Sequence, residues 1–249
     1  MTAQAPELSI VIPCYNEEKR LGRGLERLRD YFQAQPSGLA GIEIIVVDDG
    51  SSDKTLELAR EWARKLSCVQ VFWDEKNHGK GYAVREGMLN ARGRIALFTD
   101  TDLSAPIEES KKLFAAIEAG NQVAIGSRAI DRSLISVHQT HFREMAGIIF
   151  NVLVRVLIGL PFEDTQCGFK AFLREPCKVI FEQQRIDGFG FDPVILFLAR
   201  RHGLKVAEVP VRWAHDPATK LHVFRDSLRM LADLLHIRWN WLAGRYPKK

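Results

Sequence analysis

The feature that most limits the fold is an exchange, through the first half of the chain, between short apolar runs and amphipathic segments at helical spacing. The runs at residues 8–12, 42–47, 69–73, 95–99 and 122–125 are too short for helices and nearly continuous in apolar residues. Helical patterns fall between them, through Leu25, Leu28 and Phe32 and over residues 55–66, 81–91 and 108–119. Ser51, Ser52 and Asp53 supply the capping chemistry at the start of the second. Strands apolar on both sides need helices on both faces, which βαβ units provide. The expectation is an α/β fold with a Rossmann-like, mostly parallel sheet flanked by helices. At 249 residues the chain suits a single domain.

Ligands of such sheets bind beyond the carboxyl ends of the strands. There the chain reads Pro13-Cys14-Tyr15-Asn16-Glu17-Glu18, Asp48-Asp49-Gly50, Asp74-Glu75-Lys76-Asn77 and Asp100-Thr101-Asp102. Acids gather at one rim. Asp100 and Asp102 directly follow an apolar strand, where two carboxylates can hold a hard divalent cation whose shell is completed by phosphate. Taken alone, the same triplet is equally a polar turn capping the next helix. Asp48 and Asp49 can accept hydrogen bonds from a base or ribose, while Gly50 and Ser52 are explained by the turn and cap. His78-Gly79-Lys80-Gly81 opens a helix, so its N–H groups and Lys80 can face phosphate. Val84 replaces the third glycine of the dinucleotide fingerprint, and no Gly-Lys-Ser/Thr phosphate loop occurs.

The second half is less regular. A helix over residues 145–160 carries apolar residues at 145, 148, 149, 152, 153, 156, 157 and 160, and its other side, with Phe150, Val154 and Ile158, is also apolar. Such a helix is buried or meets lipid. It is too short to span a membrane, and Asn151 and Arg155 interrupt it. A loop over residues 161–168 and a mixed stretch precede a helix at 193–201 and a strand at 205–211. The last helix, about 221–242, sets Phe224, Leu228, Leu231, Leu235 and Leu242 on one stripe, with Trp239 and Trp241 near its end. Net charge is only +4, which does not suggest nucleic acid, but residues 220–249 hold seven Lys/Arg against two acids. That points to a phosphate or a membrane surface. Cys14, Cys68, Cys167 and Cys177 have no zinc spacing, and the N-terminus MTAQAPELS is no secretory signal, so reduced thiols and a cytoplasmic location are expected.

Together, SIVIPCYNEEKRL, IEIIVVDDGSSDKT, KNHGKGYAVREGM and IALFTDTDLSAP resemble family 2 glycosyltransferases of the GT-A fold, in order and spacing. The resemblance implies a nucleotide-sugar donor, with Pro13, Tyr15, Glu17, Asp48 and Asp49 around the nucleoside. It further implies Lys80 and Thr101 near the donor, and Asp100 and Asp102 on Mg²⁺ or Mn²⁺. AIGSRAI, FREMAGIIFNVLVRVLIGL, DTQCGFKAF, GFGFDPVILFLARRHGLKVAEVPVRW and TKLHVFRDSLRMLADLLHIRW narrow it to polyprenyl-phosphate sugar synthases. DTQCGFK is similar to the dolichyl-phosphate glucosyltransferase branch. Against that resemblance, neither the N-terminal anchor of the eukaryotic glucosyl enzymes nor the C-terminal spans of some bacterial relatives is expected here. Residues 1–128 are then the nucleotide-sugar half, and 129–249 the acceptor-binding, membrane-facing half with its amphipathic C-terminal helices.

On the same resemblance Arg128, Arg143 and Lys220 hold donor and acceptor phosphates. Asp164 and Asp192 are a general base or loop caps, and Gln166 and Lys170 order their loop. Lipid phosphate is already charged as a nucleophile and needs no strong base; it needs cations and a metal at the leaving diphosphate. The expected reaction is inverting transfer of a hexose, glucose from UDP-glucose, to dolichyl or undecaprenyl phosphate by a protein lying peripherally on the cytoplasmic face of a membrane. Alternatives are a GDP-mannose donor, a soluble hydroxyl acceptor, and a nucleotide-sugar-binding protein without catalysis.

Overall fold

The computed structural model describes residues 5–216 and 223–247. In chain order the elements are β1 (Leu8–Cys14), α1 (Leu21–Gln33), β2 (Ile42–Asp49), α2 (Thr55–Lys65), β3 (Val69–Asp74), α3 (Lys80–Asn90), β4 (Ile95–Thr99), α4 (Ser110–Glu118) and β5 (Val123–Ser127). There follow β6 (Ile135–Val137), α5 (His141–Ile158), β7 (Phe169–Leu173), α6 (Arg174–Gln183), α7 (Phe191–Arg201), β8 (Val206–Pro210), β9 (Trp213–Ala214) and α8 (Val223–Leu242). Seven strands form one sheet in the order β3-β2-β1-β4-β7-β5-β8, and β6 pairs with β9.

Side chains alternate across each strand, so the apolar runs feed two cores. Ile10, Ile12, Ile44 and Val46 pack under α1, α2 and α4, while Val11, Ile45 and Val47 pack under α3 and the C-terminal helices. Burying each such side chain stabilises the fold by roughly 1.5–3 kcal/mol, which makes this sheet hard to displace. Gly87 lets α3 lie close on β1, since a Cβ there would stand 2.3 Å from Val11 Cγ1.

The stretch read as mixed contains β7 and α6. Strand β7 runs antiparallel to both β4 and β5. Its reversed direction brings its N-terminal loop, residues 164–168, to the rim where the parallel strands end. Lys170 breaks its apolar pattern, yet the residue is fully buried.

Helices α5 and α8 pack on each other, and the structure decides which of their apolar sides turns inward. In α5 the buried residues are Phe150, Val154 and Ile158, whereas Met145, Ile148, Ile149, Val152 and Val156 are exposed. In α8 Met230, Leu234 and Ile237 are buried, and Leu235, Trp239 and Leu242 face outward. Each helix has two apolar stripes, and spacing does not say which one meets the core. The side chains of Phe224 and Leu228 lie outside the described ones. No helix among the described residues is long and apolar enough to cross a membrane.

Candidate active site

The rim is assembled by loops that hold one another. Asn16 takes a left-handed backbone (φ 56°), and its side-chain oxygen accepts from Ser52 N–H at 2.8 Å. Ser51 and Thr55 hydroxyls accept from the N–H groups of Asn16 at 2.8 Å and Glu17 at 2.6 Å. Pro13, exposed Tyr15, and Glu17 are thereby fixed beside the end of β2. Asp48 and Asp49 diverge there, as neighbours on a strand must. Asp49 accepts from His78 N–H (2.9 Å), Gly79 N–H (2.6 Å) and Asn77 Nδ2 (3.0 Å). Both its oxygens are therefore committed to the loop before α3. Asp48 accepts from Ser51 N–H at 3.3 Å through Oδ2, while its buried Oδ1 has no hydrogen-bond partner. Burial raises the pKa of both carboxyls.

These bonds revise two sequence expectations. Asp49 chiefly shapes the wall: the loop takes three of its four acceptor positions and leaves one, on Oδ1, for a base or ribose. The N–H groups at the start of α3 do not face phosphate either. Those of His78 and Gly79 go to Asp49, and those of Gly81 and Tyr82 donate to the Asp187 carbonyl at 2.7 and 3.2 Å. The Lys80 side chain is left to face a ligand.

Lys80, Asp100, Asp102, Arg128, Arg143, Gln166 and Asp192 line one open cavity of about 230 Å³. Lys80 Nζ lies 2.5 Å from Asp100 Oδ1. Burial opposes the charge of Lys80, but Asp100 and Asp192 outweigh it and raise its pKa. Asp102 Oδ1 accepts from Ser104 N–H at 2.9 Å, and Arg20 stands 3.6 Å from its other oxygen. Burial, then the neighbouring Asp100 charge, pushes the Asp102 carboxyl up. Thr101 is turned away: its buried hydroxyl donates to the Pro13 carbonyl at 3.1 Å and ties the end of β4 to the end of β1. It is not among the residues lining the cavity, so its side chain does not fit the donor-contact expectation.

Two ion pairs underlie the far wall. Arg128 donates to Asp164 from Nε at 2.6 Å and from Nη2 at 2.8 Å. Burial would raise the Asp164 carboxyl, yet the guanidinium overrides it and holds the pKa at about 2. Lys170 donates to Asp192 and to the Cys167 carbonyl, the latter at 2.6 Å. Lys170 thus sits in β7 beneath the cavity, and does not simply order the preceding loop. Burial raises the Asp192 carboxyl, with Lys170 and Lys80 acting against it. Lys220 lies outside the described residues.

Further residues line the cavity: Ser104, Phe189 and Trp213, which fall within the segments that carry the resemblance, and His215 and Asp216, which no motif marks. Arg20 bridges Glu17 at 2.6 Å and Asp216 at 3.5 Å besides reaching Asp102. Only the tertiary fold brings Asp216 to the β4 rim; nothing in local spacing announces it.

The Asp100–Asp102 pair fits a divalent cation. Like charges are forced together at a cavity wall, and Asp102 is strained toward its protonated form, which a cation would relieve. The backbone is cleared for Asp100, because a Cβ on Gly168 would lie 2.2 Å from its Oδ2. Among the described residues no group of three or more His, Cys, Asp or Glu could hold a metal. Two carboxylates suit Mg²⁺ or Mn²⁺ whose remaining positions go to water and phosphate.

An open sheet ending in paired acids, faced by Lys80, Arg128 and Arg143, defines a glycosyltransferase of the GT-A class. The chain belongs to glycosyl transferase family 2, whose model matches residues 9–181. It is 34% identical over 239 residues to dolichyl-phosphate beta-glucosyltransferase ALG5D of Trichomonas vaginalis, covering 92% of this chain and 72% of that protein. It is 34% identical over 250 residues to the human dolichyl-phosphate beta-glucosyltransferase, covering 96% of this chain and 77% of the relative. Among solved structures, glucosyl-3-phosphoglycerate synthase of Mycobacterium tuberculosis, in complex with Mn²⁺, UDP and glucosyl-3-phosphoglycerate, superposes with a TM-score of 0.66 at 21% identity. That match covers 94% of this chain and 80% of the other, and establishes the common fold.

Proposed function

We propose that the protein transfers glucose from UDP-glucose to a polyprenyl phosphate, dolichyl or undecaprenyl, with inversion from an α-linked donor to a β-linked lipid product. The observation that carries this reading is the pairing of the two candidate bases, Asp192 at the cavity wall and Asp164 behind Arg128. Asp164 is clamped by Arg128 and Asp192 by Lys170, so neither is placed as a ready base, while Lys80, Arg128 and Arg143 face the cavity. That arrangement suits a nucleophile already ionised, as a phosphate is. Asp48, with its orphaned Oδ1, together with Tyr15, Glu17 and Pro13 forms the nucleoside wall. A divalent ion on Asp100 and Asp102, when bound, neutralises the departing diphosphate. Lys80 and Arg128 hold phosphate oxygens, and Arg143 and Lys220 orient the acceptor.

The sugar and acceptor rest on the relatives' names, shared at 34–36% identity by the first two of them. The outward apolar residues of α5 and α8 suit contact with the cytoplasmic face of the membrane that holds such a lipid. One observation favours a hydroxyl acceptor instead: His215 lines the cavity and is chemically able to take a proton.

The test offers UDP-glucose, UDP-N-acetylglucosamine and GDP-mannose in parallel, with a short polyprenyl phosphate or a soluble sugar, and Mg²⁺ or Mn²⁺. Organic-extractable product from UDP-glucose is expected, with His215→Gln retaining turnover. Product only with GDP-mannose would overturn the donor, and product only on the soluble sugar would overturn the acceptor.

A further inference from the structure

The segment Gly188-Phe189-Gly190-Phe191-Asp192 is wedged between two helices. On one side is α3, which begins at Lys80. A Cβ on Gly79 would stand 2.4 Å from the Asp187 carbonyl oxygen, and one on Gly81 2.2 Å from that of Ile186. Arg85 of α3 donates to Asp187 Oδ1 at 2.8 Å and to Gln184 Oε1 at 2.9 Å. The Phe191 ring lies 6.0 Å from Lys80 Nζ. Phe189 and Asp192 line the cavity.

On the other side is Asp233 of α8. Its carboxylate packs against the Gly190 backbone, whose N–H favours the ionised carboxylate while burial raises its pKa. The approach is tight: a Cβ on Gly190 would lie 2.4 Å from Asp233 Oδ2 and 2.8 Å from its Cγ. Gly190 has φ −72°, open to any residue, so it is the space and not the backbone that asks for glycine. Asp233 itself is not among the residues lining the cavity.

We infer that Asp233 is a positioning residue: from α8 it fixes the Gly188–Asp192 segment, and through that segment Lys80 and Asp192. A shift of about 1 Å in such a support is enough to lower turnover on the order of 100-fold. The inference rests on the reading of the cavity given above, so its test needs a readout that does not depend on turnover. Asp233→Ala, Asp233→Asn, Gly190→Ala and the double variant Gly190→Ala/Asp233→Ala are compared in the full chain. Thermal unfolding, amide hydrogen exchange over residues 186–192, and kcat and donor KM are measured.

Asp233→Ala is expected to speed exchange of the segment and lower kcat about 10–100-fold, with donor KM rising less. Asp233→Asn keeps an oxygen acceptor and should recover most of the rate. Gly190→Ala should resemble Asp233→Ala. In the double variant the clash with Oδ2 and Cγ is gone but that with the Cβ of residue 233, 2.5 Å away, remains, so its loss should match that of Gly190→Ala and the two losses should not multiply. Unchanged exchange and kcat in Asp233→Ala would overturn the inference. So would an Asn variant as slow as the Ala variant, since the packing of a side-chain oxygen against the Gly190 backbone would then not be the cause. A wild-type protein without turnover on any donor instead overturns the functional reading, and exchange over 186–192 still decides the role of Asp233.

Discussion

Along the wall made by β1, β2 and the start of α3, polar groups answer one another: Asp49 closes on three donors, Asn16 on Ser52, Glu17 on Arg20. Along α5 and α8 the surface is left unanswered. Apolar side chains stand outward, and among the described residues Arg155 of α5, Arg238 of α8, and Arg200, Arg201 and Arg245 outside them form no ion pair. The first region is preorganised for a small polar ligand and needs no help from solvent. On the proposed function, the second meets the apolar and anionic surface of a membrane. A donor wall of this kind should fail abruptly when one group is lost, whereas an interfacial surface should fail by degrees.

The abrupt case is tested at the acid pair. Asp102→Asn should reduce kcat by on the order of 10³-fold, the scale set by removing one preorganised charge at a reacting centre. Its stability should not fall, because the charge it removes is one that burial and Asp100 already disfavour. Asparagine also retains the oxygen that accepts from Ser104 N–H. A variant that lost activity only in proportion to lost folding would break the contrast between the two regions.

The Arg128–Asp164 pair should respond next. The carboxyl moves from an ordinary 3.8 to about 2 on folding. A depressed carboxyl stabilises the fold above its unfolded pKa, and that contribution is lost as pH falls from about 4 through about 2. The size is about 2 kcal/mol. Asp164→Asn should therefore be less stable by about 2 kcal/mol at pH 6 in urea unfolding, with the gap closing toward pH 2. A gap independent of pH would mean the pair works through packing alone.

The surface case is tested at Val156, 75% exposed on α5. Val156→Asp should leave stability within about 0.5 kcal/mol, as expected of a surface site. It should weaken binding to anionic vesicles about tenfold, because the aliphatic side chain no longer enters the interface. Equal vesicle binding by both proteins would remove α5 from the contact.

How far the sequence could be read follows the same division. The parallel strands and their acids were legible because short apolar runs and rim residues are local signals. Strand β7 was not, since buried Lys170 makes its pattern look mixed and its burial depends on Asp192, far along the chain. The acid pair at 100 and 102 was legible as a candidate, but the commitment of Asp49 to the loop at 77–79 was not, because both roles ask for the same residue in the same place. For α5 and α8 the apolar periodicity was present twice over. Only packing decided that Phe150, Val154 and Ile158 go inward and that Ile149, Val152 and Val156 do not.

The smallest expected effect is also the most selective. Arg238 lies 4.6 Å from the Trp241 ring, and Arg200 and Arg201 donate to the carbonyls of Gly159 and Tyr246 at 2.7 and 2.8 Å. Arg200 and Arg201 line a groove with Trp241, and Arg238 shares α8 with the exposed Trp239 and Leu242. Each basic residue at an anionic surface contributes about 1 kcal/mol, so Arg238→Gln should weaken binding to anionic vesicles about fivefold. Binding to neutral vesicles should not change. The difference should disappear at about 1 M salt, where the screening length falls to about 3 Å, while the loss in Val156→Asp should persist. Salt would thus separate the charged part of the surface from its apolar part. If Arg238→Gln weakened binding equally on neutral vesicles, Arg238 would act by supporting Trp241, and the arginines of this surface would be packing groups and not a match for anionic lipid.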